Sequence, residues 1–471
     1  MGAIAGVAVT DNNDAIAITE VMLSALSHRG SIRKTSSLVM EGSRALKCAI
    51  GCLSYAGVQP QIAHSRDTSV TIDGSFYEKP TLTPGEYVLS KLALMSLSKA
   101  IKLVANENGG FAGLLAQRNK FHAFRDVNGL KPLYYARRRG LTAFASERKA
   151  LWRIGLEHVQ PVPPGFECAL AGRTFTKTCL ARFQRPREQT MTLDEAATNL
   201  SKLITKAVQR VTKQKDKVAV AFSGGLDSAI TAAVAKKAKL NVEAVSVGLS
   251  GAPELMTVDG FAQKLSLPIT VETFSPDSIE EYVRRVLWLI EEPNLMKVSV
   301  AIPLHWAAMV AAKRGCKVML CGQGSDELYG GYYKYARTLD TKGRRALVAD
   351  LYRSVVESSQ VNYERDDQAT SPFGVELRTP FSDPDLIRFS LSIPSEYKVK
   401  DGNDVTRKWV LRKVAQLMGL PEEITWRRKK AIQHGTGVEN AIRKVARSHE
   451  LATDQYLSKL QKQIIGIVSM P

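Results

Sequence analysis

The sequence has few cysteines, no long apolar run and no low-complexity tract. Its six cysteines in 471 residues include no Cys-x-x-Cys pair, which argues against a disulfide scaffold and predicts reduced thiols. Cys48 and Cys52 are expected to pack in the core rather than to bind a metal. No apolar stretch reaches the roughly 20 residues of a membrane span, and the start "MGAIAGVAVTDNND" lacks the basic segment of a secretory signal. We therefore expect a cytoplasmic protein without a membrane partner.

The composition is that of a globular protein of two or three domains, with 44% apolar and 24% charged residues. The formal net charge is +19, and the basic excess is spread through both halves of the chain. Such a spread favours phosphates and polyanions in general but does not indicate a nucleic-acid surface. Nucleic acid is therefore not an expected partner.

One domain boundary is visible, and it divides the chain into residues 1–188 and 189–471. A capping box, Thr192 with Glu195, opens an amphipathic helix just after a charged, proline-containing stretch. Before it, short runs such as "SVTIDGSFYE" and "PLYYARRRGLTAFAS" alternate with turn signals and predict a sheet-rich sandwich. After it, strands such as "KVAVAF" and "VEAVSVGL" alternate with helices and predict a doubly wound parallel sheet.

The stretch "KVAVAFSGGLDSAITAAVA" places a turn of glycines and hydroxyls between a buried strand and a helix. Ligands bind at the carboxyl ends of parallel strands, and the N–H groups of a helix N-terminus attract phosphate. The loop Ser223-Gly224-Gly225-Leu226-Asp227-Ser228 is therefore a candidate phosphate site. It matches neither the Gly-x-x-x-x-Gly-Lys nor the Gly-x-Gly-x-x-Gly pattern. Because an aspartate repels phosphate unless a cation bridges them, Asp227 implies Mg²⁺.

A second strand, "KVMLCG", also runs into glycines and acids, in "GQGSDELYGGYYKY". Asp326 and Glu327 lie just beyond the end of this strand. Asp227 and Asp326, from two strand ends of one sheet, could hold one metal with a polyphosphate between them. A purely structural reason for two such loops in one sheet is hard to find.

Several motifs together resemble the glutamine-dependent asparagine synthetases, in order and over nearly the whole chain. In the C-terminal part these are "FSGGLDS", "VSVGLSGAPE", "GQGSDELYGGY", "GVELRTPFSD" and "WRRKKAIQHGTG". In the N-terminal part "MGAIAGV", "LSHRGSI", "DGSFYE", "RDVNGLKPLYY" and "ASERKAL" resemble the family's class II amidotransferase domain. The resemblance implies an α+β amidotransferase-like sandwich followed by an α/β ATP-pyrophosphatase domain.

The resemblance also implies a reaction and a set of site residues. ATP would adenylate the side-chain carboxylate of aspartate with release of pyrophosphate, and ammonia would attack the acyl adenylate. ATP and Mg²⁺ are the implied cofactors, with Asp227 and Asp326 on the metal and Lys429 as the cation at the reacting phosphate. The implied ATP and pyrophosphate residues are Ser223, Gly224, Gly225, Leu226, Asp227, Ser228, Val247, Gly248, Gly322, Gly324 and Ser325.

The chain departs from the family pattern at three places. The amidotransferase nucleophile is a cysteine that follows Met1, but this position is Gly2, which has no side chain to attack glutamine. The glutamine-holding "NGE" segment reads Asp73-Gly74-Ser75, so this site is expected to be degenerate. The family's catalytic glutamate in "GEGSDE" is Gln323, and an amide is a poor proton acceptor near neutral pH. Glu376 in "GVELRTPF" remains as a carboxylate that the resemblance places at the same site.

These departures leave several interpretations open. The first is a ligase that aminates aspartate with free ammonia, and the second is an enzyme that uses a substrate's own amine, as in β-lactam synthetases and lasso-peptide cyclases. A tRNA-modifying enzyme is disfavoured because no thiolation pair or RNA-binding segment is present. An inactive regulatory protein fits the N-terminal part but not the retained Asp227, Asp326 and Lys429. The expected partners are small carboxylate and amine substrates, and a homodimer is conceivable.

Overall fold

The structure is a computed structural model that describes residues 2–10, 14–38, 46–55, 58, 61–79, 81–117, 119–185, 187–428 and 432–469. The strands are β1 Gly2–Val9, β2 Ile32–Leu38, β3 Lys47–Ser54, β4 Ile62–Ser65, β5 Thr68–Phe76, β6 Gly109–Gln117, β7 Lys120–Arg125, β8 Tyr134–Arg138, β9 Leu141–Ala145, β10 Gln160–Pro161, β11 Phe166–Ala171, β12 Thr174–Cys179, β13 Lys217–Ala221, β14 Asn241–Leu249, β15 Ile269–Phe274, β16 Val318–Leu320 and β17 Glu376–Arg378.

The α-helices lie between and after these strands. They are α1 Ala15–Ser24, α2 Pro84–Leu92, α3 Leu97–Ala105, α4 Arg148–Trp152, α5 Leu193–Val211, α6 Leu226–Lys237, α7 Leu255–Lys264, α8 Ile279–Ile290, α9 Leu295–Lys313, α10 Ser325–Tyr329, α11 Tyr333–Ser358, α12 Glu364–Thr370, α13 Pro384–Ser392, α14 Trp409–Leu417, α15 Glu422–Thr425, α16 Ile432–Gly435, α17 Val438–Ser448 and α18 Thr453–Ser469. Short 3₁₀ turns are Ser27–Arg29, Pro276–Ser278, Ser371–Phe373, Pro380–Ser382 and Ser395–Tyr397, and a π-helical turn, Ser359–Tyr363, joins α11 to α12.

The N-terminal half is a sandwich of two antiparallel sheets. Within the described residues one sheet has the order β10-β8-β9-β1-β3-β2 and the other has the order β12-β11-β7-β6-β5-β4. Ile4 and Ile50 of the first sheet share a buried core with Leu114 and Phe121 of the second. Because side chains alternate between the two faces of a strand, each sheet buries one face against the other. The predicted sandwich is confirmed.

The C-terminal half is built on a parallel sheet with the order β15-β14-β13-β16-β17. Val218 and Val220 of β13 pack in one buried core, and Ala219 between them packs in a second core on the opposite face. Because of this alternation, helices pack on both faces of the central strand β13. The predicted doubly wound sheet is confirmed, and so is the capping box, since Thr192 and Glu195 bond reciprocally at the start of α5.

The expectation that no apolar stretch reaches the length of a membrane span was wrong by length and composition: helix α9 passes this test, and it alone does so among the described residues. Most of the helix is buried inside the protein, where it packs against β13, β14 and α12. Trp306 at its centre is fully buried and stacks on Phe274. Helix α9 is therefore accounted for as a core helix of the parallel sheet.

Candidate active site

The first candidate loop lies between β13 and α6, at the carboxyl edge of the sheet. The Ser228 hydroxyl donates to the Gly225 carbonyl (3.1 Å) and accepts from the Ser223 amide (3.3 Å). Gly224 has φ +64°, and a Cβ there would come within 2.7 Å of the Arg427 guanidinium and of the Phe261 ring. The loop therefore needs glycine at this point, and it delivers the N-terminus of α6 to the edge of the sheet.

The second loop follows β16, the neighbour of β13, and packs directly on the first. A Cβ on Gly322 would lie 2.6 Å from the Cβ of Asp227, so only glycine permits this approach. The Ser325 hydroxyl donates to Asp227 Oδ1 (2.7 Å). The parallel pairing of β13 with β16 thus brings Asp227 and Asp326 to one place, as the sequence predicts.

Lys408 lies between these two carboxylates. Its ammonium is 2.7 Å from Asp227 Oδ2 and 2.6 Å from Asp326 Oδ1, and it also donates to the Ser325 hydroxyl (2.9 Å). The Lys408 side chain is only 3% exposed. Gly331 makes this contact possible, because a Cβ there would come within 2.3 Å of Lys408 Cε. Sequence reasoning missed Lys408, whose only signal is a basic run, "TRKWVLRK", that lies outside every motif considered.

A cavity of about 510 Å³ opens at this carboxyl edge of the sheet. One end is mainly apolar and is bordered by Val245, Val247, Leu255, Leu304 and Ile432. The other end is polar and is bordered by Gln323, Glu327, Asn362, Arg365 and Asp366. Between the two ends the wall is formed by Ser223, Asp227, Ser228, Gly322 and Asp326. Because β13 lies between β14 and β16 in the sheet, the cavity has room for a flat apolar group beside β14, a phosphate chain at the first loop and a small polar molecule beyond β16.

A smaller cavity of about 50 Å³ adjoins the first loop, and in its lining four basic side chains outnumber two acidic ones, Asp227 and Glu254. Four cations line it: Lys408, Arg412, Arg427 and Arg428. Gly225 and Leu226, at the N-terminus of α6, form the opposite wall. Lysine and arginine side chains around a helix N-terminus provide the charge and the N–H donors that a pyrophosphate group needs.

The polar end of the large cavity contains carboxylates with free oxygens. Tyr332 (2.6 Å) and Asn362 (2.8 Å) both donate to Glu327 Oε1, whereas the buried Oε2 has no hydrogen-bond partner among the described residues. Burial, followed by the charge of Asp326, raises the pKa of Glu327 above its ordinary value. Asp366 is paired with Arg365 through Oδ1. Its other oxygen, Oδ2, is buried and has no hydrogen-bond partner among the residues that the structure describes. A buried oxygen without a partner is costly, so this end of the cavity is suited to a ligand that donates hydrogen bonds.

The two aspartates fit a Mg²⁺ ion that a substrate shares. No group of three or more His, Cys, Asp or Glu side chains within the described ranges could hold a metal by itself. Mg²⁺ is commonly held by one or two carboxylates together with substrate phosphates and water. Asp227 and Asp326 already converge on one cation, the Lys408 ammonium, so their placement suits that mode of binding.

The large cavity is lined by some of the other predicted residues but not by all of them. Val247 borders the large cavity, but Gly248, Gly324 and Ser325 are not among the described residues that line it. Glu376 does not line it either. It is buried at the start of β17 and pairs with Arg378 at 2.7 Å. Burial would raise the pKa of Glu376, but Arg378 and then Lys131 lower it to about 2. Lys429 lies outside the described residues.

The predicted amidotransferase site is filled by the protein's own charges. The Gly2 amide donates to Asp73 Oδ1 (3.3 Å), so these two predicted residues do meet. Arg29, which is fully buried, contacts Asp73 (3.4 Å), Glu147 (2.9 Å) and Asp367 (2.5 Å). Three carboxylates thus surround the one guanidinium. Arg29 has little capacity left for the carboxylate of a free amino acid.

The backbone at this site also excludes larger side chains. A Cβ on Gly2 would lie 1.7 Å from the Leu53 carbonyl oxygen of the paired strand β3. A Cβ on Gly74, where φ is +113°, would lie 2.0 Å from the Gly110 carbonyl oxygen. Both obstacles are backbone atoms, which cannot rotate away. The close approach of the strands here depends on glycine.

Comparison with protein-family models gives two matches. The asparagine synthase family model matches residues 199–359 and 339–463, and the glutamine amidotransferase domain model matches residues 45–153. The first match contains both loops and Lys408. It also contains the residues that line the two cavities, all of which fall between residues 221 and 436. The second contains Asp73 and Glu147 of the filled site.

Curated relatives match over most of the chain. A putative glutamine-hydrolysing asparagine synthetase of Methanocaldococcus jannaschii is 30% identical, over 99% of this chain and 100% of its own length. A glutamine-hydrolysing asparagine synthetase of Asparagus officinalis is 26% identical, over 81% of this chain and 68% of its own. A probable one from Acanthamoeba polyphaga mimivirus is 24% identical, over 92% and 86%.

Proposed function

The chain belongs to the asparagine synthetase family, and from this premise we propose that it aminates aspartate to asparagine with free ammonia as the nitrogen source. As a member of this family it is an ATP-dependent ligase. The observation that carries the proposal is a pair of cavities that share Ser223, Asp227 and Ser228, one with a polar part rich in carboxylates and the other with the cations beside α6.

The order of groups along the cavity suggests how the substrates bind. The apolar end at Val247 and Leu304 would receive adenine, and the N-terminus of α6 with Arg427 would hold the β- and γ-phosphates. Mg²⁺, held by Asp227 and Asp326, would neutralise phosphate charge when it is bound. The aspartate side chain then attacks the α-phosphorus of ATP, pyrophosphate leaves toward the basic cavity, and an acyl adenylate forms.

The polar end has groups for a zwitterionic amino acid. Asp366 presents an unpaired buried oxygen that an ammonium group could satisfy, and Arg365 lies beside it as a cation for a carboxylate. A substrate with both charges would pair groups that are otherwise only partly satisfied. This arrangement favours aspartate over a carboxylate that has no ammonium group.

Pyrophosphate release with a panel of carboxylates tests the proposed reaction. The protein is incubated with ATP, Mg²⁺ and ammonium chloride, and aspartate is compared with glutamate, succinate and β-alanine. We expect AMP and pyrophosphate in equal amounts, and a much higher rate with aspartate than with the other acids. Equal rates with succinate and aspartate would contradict the assignment of the polar end to an amino acid.

Glu327 is proposed to accept the proton that ammonia loses as it attacks the adenylate, because Gln323 cannot do so. Glu327 lines the cavity and its Oε2 has no hydrogen-bond partner among the described residues, so it can accept a proton there, and burial followed by the charge of Asp326 raises its pKa. The rate of asparagine formation should therefore fall at low pH, where Glu327 becomes protonated. Glu327→Gln should lower kcat by about 100-fold or more and remove this limb of the pH profile. An unchanged profile in the variant would assign the base elsewhere.

Free ammonia is proposed because the glutamine site is both blocked and without a nucleophile. Gly2 offers no thiol, and the carboxylates of Asp73 and Asp367 already bind Arg29. The six cysteines are free, and Cys48 and Cys52 are buried, with burial raising the pKa of both thiols. Neither is a replacement nucleophile, since a buried thiol with a raised pKa is unreactive.

Restoring the nucleophile should not restore glutamine hydrolysis. In Gly2→Cys the new Cβ must displace the Leu53 carbonyl, so β1 and β3 would separate at this point. We expect a lower melting temperature and a rate of glutamate release no higher than that of the unmodified protein. Gly6→Ala controls for crowding between β1 and β3 away from residue 2. It places a smaller side chain in the same strand, with its Cβ 2.9 Å from a backbone oxygen of β3. Glutaminase activity in the Gly2→Cys protein would refute the blocked-site proposal.

The remaining assignments follow from family membership. Lys429 is proposed as the cation at the reacting phosphate. Arg428 and Ile432, the described residues on either side of it, line the two cavities. A cytoplasmic location is proposed from the free cysteines, which suit a reducing compartment. The proposed partners are small-molecule substrates.

A further inference from the structure

Helix α12 separates the filled amidotransferase site from the active-site cavity. Glu364 and Asp367 stand on one face of the helix, three residues apart, and are buried against the N-terminal sandwich. Arg365 and Asp366 stand on the opposite face with Asn362, and these three line the polar end of the cavity. Helical spacing accounts for this division.

The face toward the sandwich is held by buried ion pairs. Arg29 and Lys131 both contact Asp367, each at 2.5 Å. Arg125 contacts Glu364 Oε1 (3.0 Å), and the Tyr134 hydroxyl donates to Glu364 Oε2 (2.6 Å). Every one of these side chains is nearly or fully buried, so none of the pairs is screened by water. Burial alone would raise the pKa of Asp367, but Lys131 and Arg29 lower it, so the carboxylate stays charged.

The turn before the helix is held in the same way. Residues Ser359–Tyr363 form a π-helical turn, a rare element that commonly occurs at functional sites. The Ser359 hydroxyl donates to the Gly129 carbonyl (3.0 Å) and accepts from Arg125 (3.2 Å), so the sandwich fixes the start of this turn. Val361 and Asn362, within the turn, line the cavity.

We propose that the N-terminal sandwich serves as a positioning clamp for the substrate-carboxylate end of the cavity, and that Lys131, Arg29, Arg125 and Tyr134 are its positioning residues. Each binds one face of α12 or the turn before it, and thereby sets the orientation of Arg365 and Asp366 on the other face. A rigid second layer behind binding residues is what accurate substrate placement requires. In this proposal the sandwich acts on the synthetase half although its own site is filled.

The proposal can be tested with Lys131→Gln and Tyr134→Phe, which loosen the clamp without touching the cavity. The steady-state KM for aspartate should rise about tenfold, and the KM for ATP should stay within about twofold, because β13, β14 and the Asp227 loop are not in the clamp. Lys131→Arg should restore most of the wild-type KM. This kinetic part rests on the proposed function.

Hydrogen exchange measures the clamp without any substrate. In both variants the amides of residues 361–370 should exchange at least about tenfold faster than in the unmodified protein. Glu167→Gln is the matched control. It weakens a buried pair with His122 (2.7 Å) between β7 and β11 of the sandwich and should leave exchange of 361–370 unchanged.

The outcomes separate this proposal from the proposed function. Unchanged exchange of residues 361–370 in both variants, or equal increases in the KM values for aspartate and ATP, would overturn the clamp. If the unmodified protein does not use aspartate at all, the proposed function fails, and faster exchange in the variants alone would still support the clamp.

Discussion

Asp326→Asn is expected to reduce aspartate-dependent pyrophosphate release by at least about 100-fold, and Asp227→Asn should do the same. Each substitution removes one of two carboxylates that converge on a single cation position. Mg²⁺ would then have one protein ligand instead of two, and the charge that develops on the phosphates would be less well neutralised. The asparagine side chain keeps the volume of aspartate, so the cavity is preserved.

The measurement is the initial rate of pyrophosphate release at saturating ATP, over a series of Mg²⁺ concentrations. Lys408 retains one carboxylate in each variant, so both proteins should fold. Asp259→Asn, an exposed residue of α7, controls for the loss of one negative charge near the site. If either active-site variant keeps more than about a tenth of the wild-type rate, the two aspartates do not share a metal.

Lys408→Met is expected to cost about 3–5 kcal/mol in the free energy of unfolding when Mg²⁺ and nucleotide are absent. The ammonium is buried between Asp227 and Asp326, and its removal takes away the one cation position that both carboxylates contact. Mg²⁺ can take over that role, so added Mg²⁺ should stabilise the variant much more than the unmodified protein. We infer that Lys408 neutralises the metal site before substrate arrives and binds phosphate afterwards.

Thermal or denaturant unfolding with and without Mg²⁺ tests this role of Lys408. Lys413→Met is the control, because Lys413 lies on helix α14, which begins directly after Lys408, is one-third exposed and pairs with the largely exposed Asp194. A pair of this kind contributes little to stability, so this variant should unfold like the wild type. Equal stabilisation of all three proteins by Mg²⁺ would show that Lys408 does not occupy the metal position.

The sequence predicted those parts of the site that are encoded locally. The strand, the Ser223–Ser228 loop and the start of α6 are adjacent in the chain, so their roles could be derived from 19 consecutive residues, Lys217–Ala235. The meeting of Asp227 with Asp326 also followed, because parallel strands end at a common edge. Both loops depend on glycines, at Gly224 and Gly322, that the motif already contains.

Other parts of the site depend on contacts that no local pattern contains. Lys408 is 181 residues from Asp227 and is recognisable only when helix α14 is placed beside the first loop. Asp367 is 338 residues from Arg29, and nothing in "YERDDQATS" indicates that one aspartate enters the sandwich while its neighbour enters the cavity. Glu376 was assigned from a motif alone, and its partner Arg378, two residues on, holds it away from the cavity lining.

The source of the nitrogen atom tests the central claim most directly. The unmodified protein is incubated with ATP, Mg²⁺ and aspartate, once with ¹⁵N-ammonium and unlabelled glutamine and once with the label in the glutamine amide. The proposed function predicts ¹⁵N-asparagine, AMP and pyrophosphate in equal amounts from labelled ammonium, and unlabelled asparagine in the second reaction. Labelled asparagine from glutamine, with an equal amount of glutamate, would contradict it and would require a nucleophile other than residue 2.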